Sequence, residues 1–298
     1  MEMRALCQRF YDYSSSIRGY SKDTIRRYKF TMDYYCKFSN ITDINQVSVE
    51  NVRALFFNGR SERNWSVNTF LVYHRSLCVF FRWCIAQGFM VQKNPILEIE
   101  KPKLEKRLPS KLTKQDALRL LEIVYNYPWQ NKFLRERNHA MFATIIFCGL
   151  RKKELLKLKY TDVDIENLSI FIRQGKGSKD RILPMSPTLA TILKKYLEER
   201  ATRQKTCPEF FASFHRNVGL TYGGLRDIAV TIRKSSKINF TIHKLRHSFA
   251  CMMIQSGCDI YSLSKMMGHS DISTTAIYLS ASADHLRLQM AKHPLNEI

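Results

Sequence analysis

Six side chains spread over the second half of the sequence have the types needed to break and remake a phosphodiester bond without water. They are Arg151, Lys176, His243, Arg246, His269 and Tyr278. A phosphodiester is an anion that repels nucleophiles, and its transition state gathers more negative charge on the non-bridging oxygens. Arginine suits that demand, because its planar fork binds two oxygens and keeps its charge. A hydroxyl nucleophile is needed if the bond energy is to be kept in a covalent intermediate. Tyrosine can serve, but with a pKa of about 10 it needs a positive field or a base. The departing sugar oxygen needs a proton, which lysine or histidine can give.

The local segments give these residues a setting. Arg151 follows an apolar stretch and a glycine in Cys148-Gly-Leu-Arg-Lys-Lys-Glu-Leu155, and Lys176 lies in Gly175-Lys-Gly-Ser-Lys-Asp-Arg181. His243 and Arg246 lie in His243-Lys-Leu-Arg-His-Ser-Phe-Ala250, where a spacing of three puts both on one helix face. His269 follows Met266-Met-Gly, and Tyr278 ends Thr274-Thr-Ala-Ile-Tyr278. Taken singly, each has a plainer explanation. Arg151 fits a surface arginine at a helix start, and Lys176 one solvated cation beside Lys179 and Arg181. His243 fits a cap, His269 the start of a turn, and Tyr278 a core residue among Ile272, Ala276, Ile277 and Leu279. His247 is read as structural. The weight lies in six residues occurring in order, each in a matching segment.

That order, Arg, Lys, His-x-x-Arg, His and Tyr, resembles the catalytic domain of the tyrosine recombinase (phage-integrase) family. The resemblance covers roughly residues 110–290, and extends to the first hundred residues chiefly in their layout, which is similar to the family's helical core-binding domain. Met267 departs from it, since relatives often carry leucine before Gly-His; the swap conserves volume. The resemblance implies that Tyr278 attacks a scissile phosphate held by Arg151 and Arg246, giving a 3′-phosphotyrosine and a free 5′-hydroxyl. It further implies that Lys176 protonates the leaving oxygen, that His243 helps to move the tyrosine proton, and that His269 hydrogen-bonds the phosphate. Glu154 either pairs with a neighbour or, by the resemblance, orients Arg151. The implied partners are double-stranded DNA recombination sites and further copies of the chain, as a tetramer on two sites, with a second recombinase or accessory factor left open. The tail, with Leu286, Met290 and Leu295, either docks on a neighbouring subunit or packs within its own. Little room precedes the N-terminal helices, so core-type sites without separate arm-type sites are expected. Integrase, invertase and resolvase roles all fit, with a lean towards a mobile element.

These residues need elements to hold them, and the sequence predicts a mainly α protein. Residues 1–97 read as a helical DNA-binding bundle. One helix follows Ser21, with Ile25, Tyr28, Met32 and Tyr35 at helical spacing; a shorter one runs around Val49 to Phe57; a third follows Ser66 and is closed by Gly88. Residues 98–111, with Pro102, Pro109 and five basic residues, lack an apolar stripe and read as a linker. Residues 112–298 form the expected catalytic domain with its tail. A helix opens at Thr113, residues 131–148 form a helix apolar enough for the centre of a core, and Arg151 to Leu158 form a short amphipathic one. Leu168–Arg173 and Asp180–Pro184 are strand-like and joined by a glycine-containing turn, and helices are expected again from Pro187.

Bulk properties agree with a polyanion as partner. The 298 residues fit two domains. With 48 Lys+Arg against 26 Asp+Glu the net charge is +22, which attracts nucleic acid. The eight cysteines contain no Cys-x-x-Cys pair and read as free thiols; there is no signal-peptide stretch, so a cytoplasmic location without a membrane is expected. No cofactor or metal is expected, because two similar esters are exchanged, and no Gly-x-x-x-x-Gly-Lys-Ser/Thr loop or acidic metal cluster occurs. The rival readings are a type IB topoisomerase-like enzyme with the same chemistry, and a catalytically silent DNA-binding regulator of the same fold. A basic structural protein would explain the charge but not the motif order.

Overall fold

A computed structural model describes every residue except 104–109, 174–179, 270 and 279–298. The chain divides into two units, Met1–Lys106 and Arg107–Ile298.

The first unit is built from α1 (Met3–Ser16), α2 (Lys22–Ser39), α3 (Val49–Ser61) and α4 (Val67–Ala86), followed by a 3₁₀ turn at Pro95–Glu98. Serines start three of these helices. The hydroxyls of Ser21, Ser48 and Ser66 accept from the backbone N–H groups of Thr24, Asn51 and Thr69. Each such cap satisfies a donor the helix cannot, and is worth ~1 kcal/mol. The core is aromatic: Phe10 packs against Tyr28, Phe80 and Trp83 with ring centroids 5.2, 5.3 and 5.4 Å away. It reaches Ile99, two residues beyond the boundary expected at 97.

In the second unit, Thr113 and Asn131 cap α5 (Lys114–Asn126) and α6 (Lys132–Cys148). Helix α6 is buried on all sides from Ala140 to Ile146, as its composition predicts for a central helix. Gly149 ends it with a φ of +61°, in the left-handed region that favours glycine. Helix α7 (Lys152–Lys157) follows at once. Strands β1 (Val163–Asp164), β2 (Ser169–Ile172) and β3 (Arg181–Pro184) form an antiparallel sheet in that order, with Ile170 opposite Leu183 and Ile172 opposite Arg181. The expected hairpin thus gains a third strand, too short for any periodicity to mark it.

Helices α8 (Pro187–Thr202), α9 (Tyr222–Ser236), α10 (Ile242–Gln255), α11 (Ile260–Met267) and α12 (Ser273–Ala276) complete the unit. Helices dominate from Pro187, as expected, with a non-helical segment between α8 and α9. There the chain bends at Phe210 and Phe211 and is pinned by Tyr196, whose hydroxyl donates to Phe210 O and accepts from Ala212 N–H, both at 2.9 Å. The large core joins α5, α6, α8, α9 and the sheet, while a smaller cluster of Phe249, Cys251, Ile254, Leu263 and Met267 encloses Tyr278. All eight cysteines are free thiols. No described helix is long and apolar enough to cross a membrane.

Candidate active site

The turn between α11 and His269 is the scaffold of the site. Three successive carbonyls there each accept from a different arginine. Arg181 Nε donates to Met266 O at 2.8 Å, Arg246 Nη2 to Met267 O at 2.6 Å, and Arg151 Nη2 to Gly268 O at 2.7 Å. The arginines come from β3, α10 and the start of α7, so three distant segments converge on one strip of backbone. Arg246 Nη1 also donates to Gly149 O at 2.5 Å, which ties the end of α6 to α10.

Such a density of cations needs a counter-charge, and Glu154 supplies it. Its carboxylate takes both arms of Arg181, at 3.1 and 2.9 Å, and Arg151 Nη1 at 2.7 Å. It also accepts the Arg151 backbone N–H at 2.9 Å, closing the first turn of α7, and lies 3.8 Å from Arg246. Burial alone would raise the carboxyl's pKa. Hydrogen bonds and charge from Arg181, then from Arg151, more than offset this and hold it below the usual carboxylate range. Burial and the charge of Arg151 bring Arg246 down to about 10, so it stays a cation at neutral pH.

His269 is held at both ring nitrogens. Arg246 Nη2 donates to Nε2 at 3.1 Å, and Thr275 Oγ1 lies 2.8 Å from Nδ1. Burial, then the charges of Arg246, Arg151 and Arg181, push its pKa down to about 4. Tyr278 is 2% exposed, and burial raises its phenol to about 12 against the lowering influence of Arg246.

The structure brings Arg151, Arg246 and His269 together. It sets Tyr278 beside them through α10, but the residue in contact with the phenol is His247, not His243. His247 Nδ1 and Tyr278 Oη are 2.6 Å apart. Burial, then His243 and Arg246, lower the pKa of His247, which favours the neutral ring. His243 is exposed in the first turn of α10, where loss of solvent and the charges of Lys152, Arg246 and Arg151 lower its pKa. Lys176 lies outside the described residues. The sequence reading therefore missed His247, Thr275 and the bracing role of Arg181. A usable signal existed for His247, which stands four residues after His243 and so shares its helix face. No group of three or more His, Cys, Asp or Glu that could hold a metal occurs among the described residues.

Comparisons with known proteins agree in both units. Residues 110–285 match the phage integrase family, and residues 6–88 match the phage integrase N-terminal SAM-like domain. The tyrosine recombinase XerD of Listeria monocytogenes serotype 4b (strain F2365) is 33% identical over 285 residues, 93% of this chain and 94% of that protein. The tyrosine recombinase XerC of Bacillus pumilus (strain SAFR-032) is 28% identical over 296 residues, 96% of this chain and 95% of that one. Among solved structures, the XerA recombinase superposes with a TM-score of 0.54 at 25% identity, covering 98% of this chain and 99% of that one. A lambda integrase tetramer bound to a Holliday junction shares the fold, with a TM-score of 0.73 at 18% identity over 96% of this chain and 78% of that one.

Proposed function

The chain belongs to the phage integrase family of tyrosine recombinases, and from that premise we propose that Tyr278 is the nucleophile with which it cuts and rejoins DNA at specific sites. The observation that carries this assignment is the convergence of Arg151, Arg246 and His269 on residues 267–269, with Tyr278 bonded to the same helix that carries Arg246. Two guanidiniums fixed by backbone carbonyls and one carboxylate are preorganised donors for the charge that a phosphoryl transition state develops.

Tyr278 Oη attacks phosphorus, the bond to the 5′ oxygen breaks, and a 3′-phosphotyrosine remains. The phenol donates to His247 Nδ1 and passes its proton there; the 2.6 Å contact and the lowered pKa of the ring support that role. His243, one turn earlier, carries the proton onward to solvent. Lys176 protonates the departing 5′ oxygen. The 5′-hydroxyl of a partner strand then reverses the step, so energy stored in one ester makes the next. Residues 1–97 serve as the core-binding domain, 98–111 as a basic linker and 112–298 as the catalytic domain, working in a tetramer on two duplex sites in the cytoplasm. The tail beyond Tyr278, expected either to dock on a neighbouring subunit or to pack within its own, lies outside the described residues. Deleting residues 282–298 separates the two: docking predicts a weaker tetrameric synapse, and a synapse of unchanged stability overturns it.

Covalent trapping tests the assignment. Nicked duplexes tiling the DNA around the protein's own gene are incubated with the wild type and with Tyr278→Phe. An adduct that survives denaturant, maps to one position and needs Tyr278 is expected. An equal yield from Tyr278→Phe would show another nucleophile. Relaxation of plasmids without site dependence would favour the topoisomerase reading, and tight binding with no adduct the regulator. On a trapping duplex, His247→Gln should slow cleavage by about a hundred-fold, the scale of one general base.

A further inference from the structure

His269 is held in a tautomer that cannot bind phosphate. A guanidinium has donors and no acceptor, so the ring nitrogen facing Arg246, Nε2 at 3.1 Å, presents its lone pair. The ring proton then sits on Nδ1, which donates to the Thr275 hydroxyl 2.8 Å away. Phosphate oxygens are acceptors too, and a lone pair at Nε2 repels them. A second ring proton is a poor remedy. It would set a fourth cation beside Arg246, Arg151 and Arg181, with His247 also nearby, against the single charges of Glu154 and a diester.

We propose that His269 exchanges tautomers when a phosphate replaces its lone pair as the partner of Arg246, and that Thr275 is the positioning residue that supports both forms. The Thr275 hydroxyl accepts from Nδ1–H in the DNA-free protein and donates to bare Nδ1 once Nε2 carries the proton. One proton leaves Nδ1 to solvent, one arrives at Nε2 from solvent, and the ring's charge is unchanged. Only a hydroxyl can play both parts in so confined a place. Thr275 is fully buried, and its carbonyl accepts the Tyr278 backbone N–H at 3.0 Å, so one residue steadies both the histidine and the backbone of the nucleophile. The proposal rests on the reading of His269 as a phosphate donor.

The test uses the full chain labelled with ¹⁵N at the histidine rings, His269→Gln assigning the resonance. The free protein should show a neutral ring protonated on Nδ1. Tyr278→Phe bound to the duplex that traps the adduct should show a neutral ring protonated on Nε2. A ring unchanged on binding, or one that becomes doubly protonated, overturns the exchange. Thr275→Val keeps the shape and removes the hydroxyl, and should slow cleavage of that duplex about a hundred-fold, the scale of one lost transition-state donor. Thr275→Ser should restore most of that loss, at a melting temperature no higher than that of the valine variant. Valine cleaving at the wild-type rate, or serine as slow as valine, overturns the role of Thr275. If no duplex gives an adduct with the wild type, it is the recombinase assignment of Tyr278 that fails, while the free-protein spectrum still decides the resting tautomer.

Discussion

Arg246 has to remain charged in a place where charge is costly. It is 5% exposed, and its fork is oriented by bonds to two backbone carbonyls and a histidine, which leave further N–H donors for a phosphate. Lysine would keep the charge but lose the planar fork, leaving buried carbonyls without donors. Arg246→Lys should therefore lower the cleavage rate by about a hundred-fold or more in single-turnover assays, while duplex binding, which rests on many phosphates, changes little. Glu154 gives a prediction in pH. Its folded pKa is depressed below 4.5, so its contribution to stability is present above about 4.5 and is lost as pH falls through the lower folded value. Urea melts of the wild type and Glu154→Gln should differ most at neutral pH and converge in acid. The arginines, the second histidine and the tyrosine could be read from their order along the chain. His247 could not be paired with Tyr278, because their contact spans 31 residues and depends on how α12 returns to α10. Spacing along one helix carries no information about that return.

Short elements and glycines decide where the charged groups end up. Gly268 has a φ of +62°, and a methyl group there would lie 2.7 Å from Arg181 Nη1. Gly257 has a φ of +86° with open space around it. Both alanine variants should lose about 1–2 kcal/mol from backbone strain, but only Gly268→Ala displaces Arg181. Thermal melts should thus show the larger loss for Gly268→Ala, and only that variant should also slow cleavage. Equal melts and equal cleavage rates would show that Arg181 yields freely. The helices opening after Ser21, Ser66 and Thr113 were legible because a hydroxyl cap precedes each apolar stripe, whereas α1, whose N-cap Glu2 makes no side-chain bond, was not. The two-residue strand β1 and the bent segment at Phe210–Ala212 were not either. Both owe their shape to partners outside their own segment, Ile170 and Ser169 a few residues on for the one and Tyr196, on α8, for the other.

At the scale of the molecule, charge sets affinity and the two cores set the division of labour. A net charge of +22 implies many phosphate contacts and release of many counterions. Affinity for a duplex should fall by about a thousand-fold or more between about 50 and about 200 mM salt, measured by fluorescence anisotropy. Affinity that barely responds to salt would mean that base contacts dominate. The division into two units could be read from the proline-rich basic stretch, but its position was only approximate. Ile99 joins the first core through the 3₁₀ turn at Pro95–Glu98, and a four-residue turn leaves no apolar stripe to extend the helical pattern.

The strip of three carbonyls has a consequence for how the sequence can drift. Every amino acid offers the same carbonyl, so Arg181, Arg246 and Arg151, which donate to the carbonyls of residues 266–268, are anchored to something that a side-chain change does not alter. Met267 is fully buried in an apolar cluster, so the side chains that fit there are apolar ones of similar volume. Gly268 is the exception, fixed by its backbone and not by its carbonyl. The side chains of this strip can thus be exchanged for apolar ones of matching volume while the arginines that it holds stay where they are.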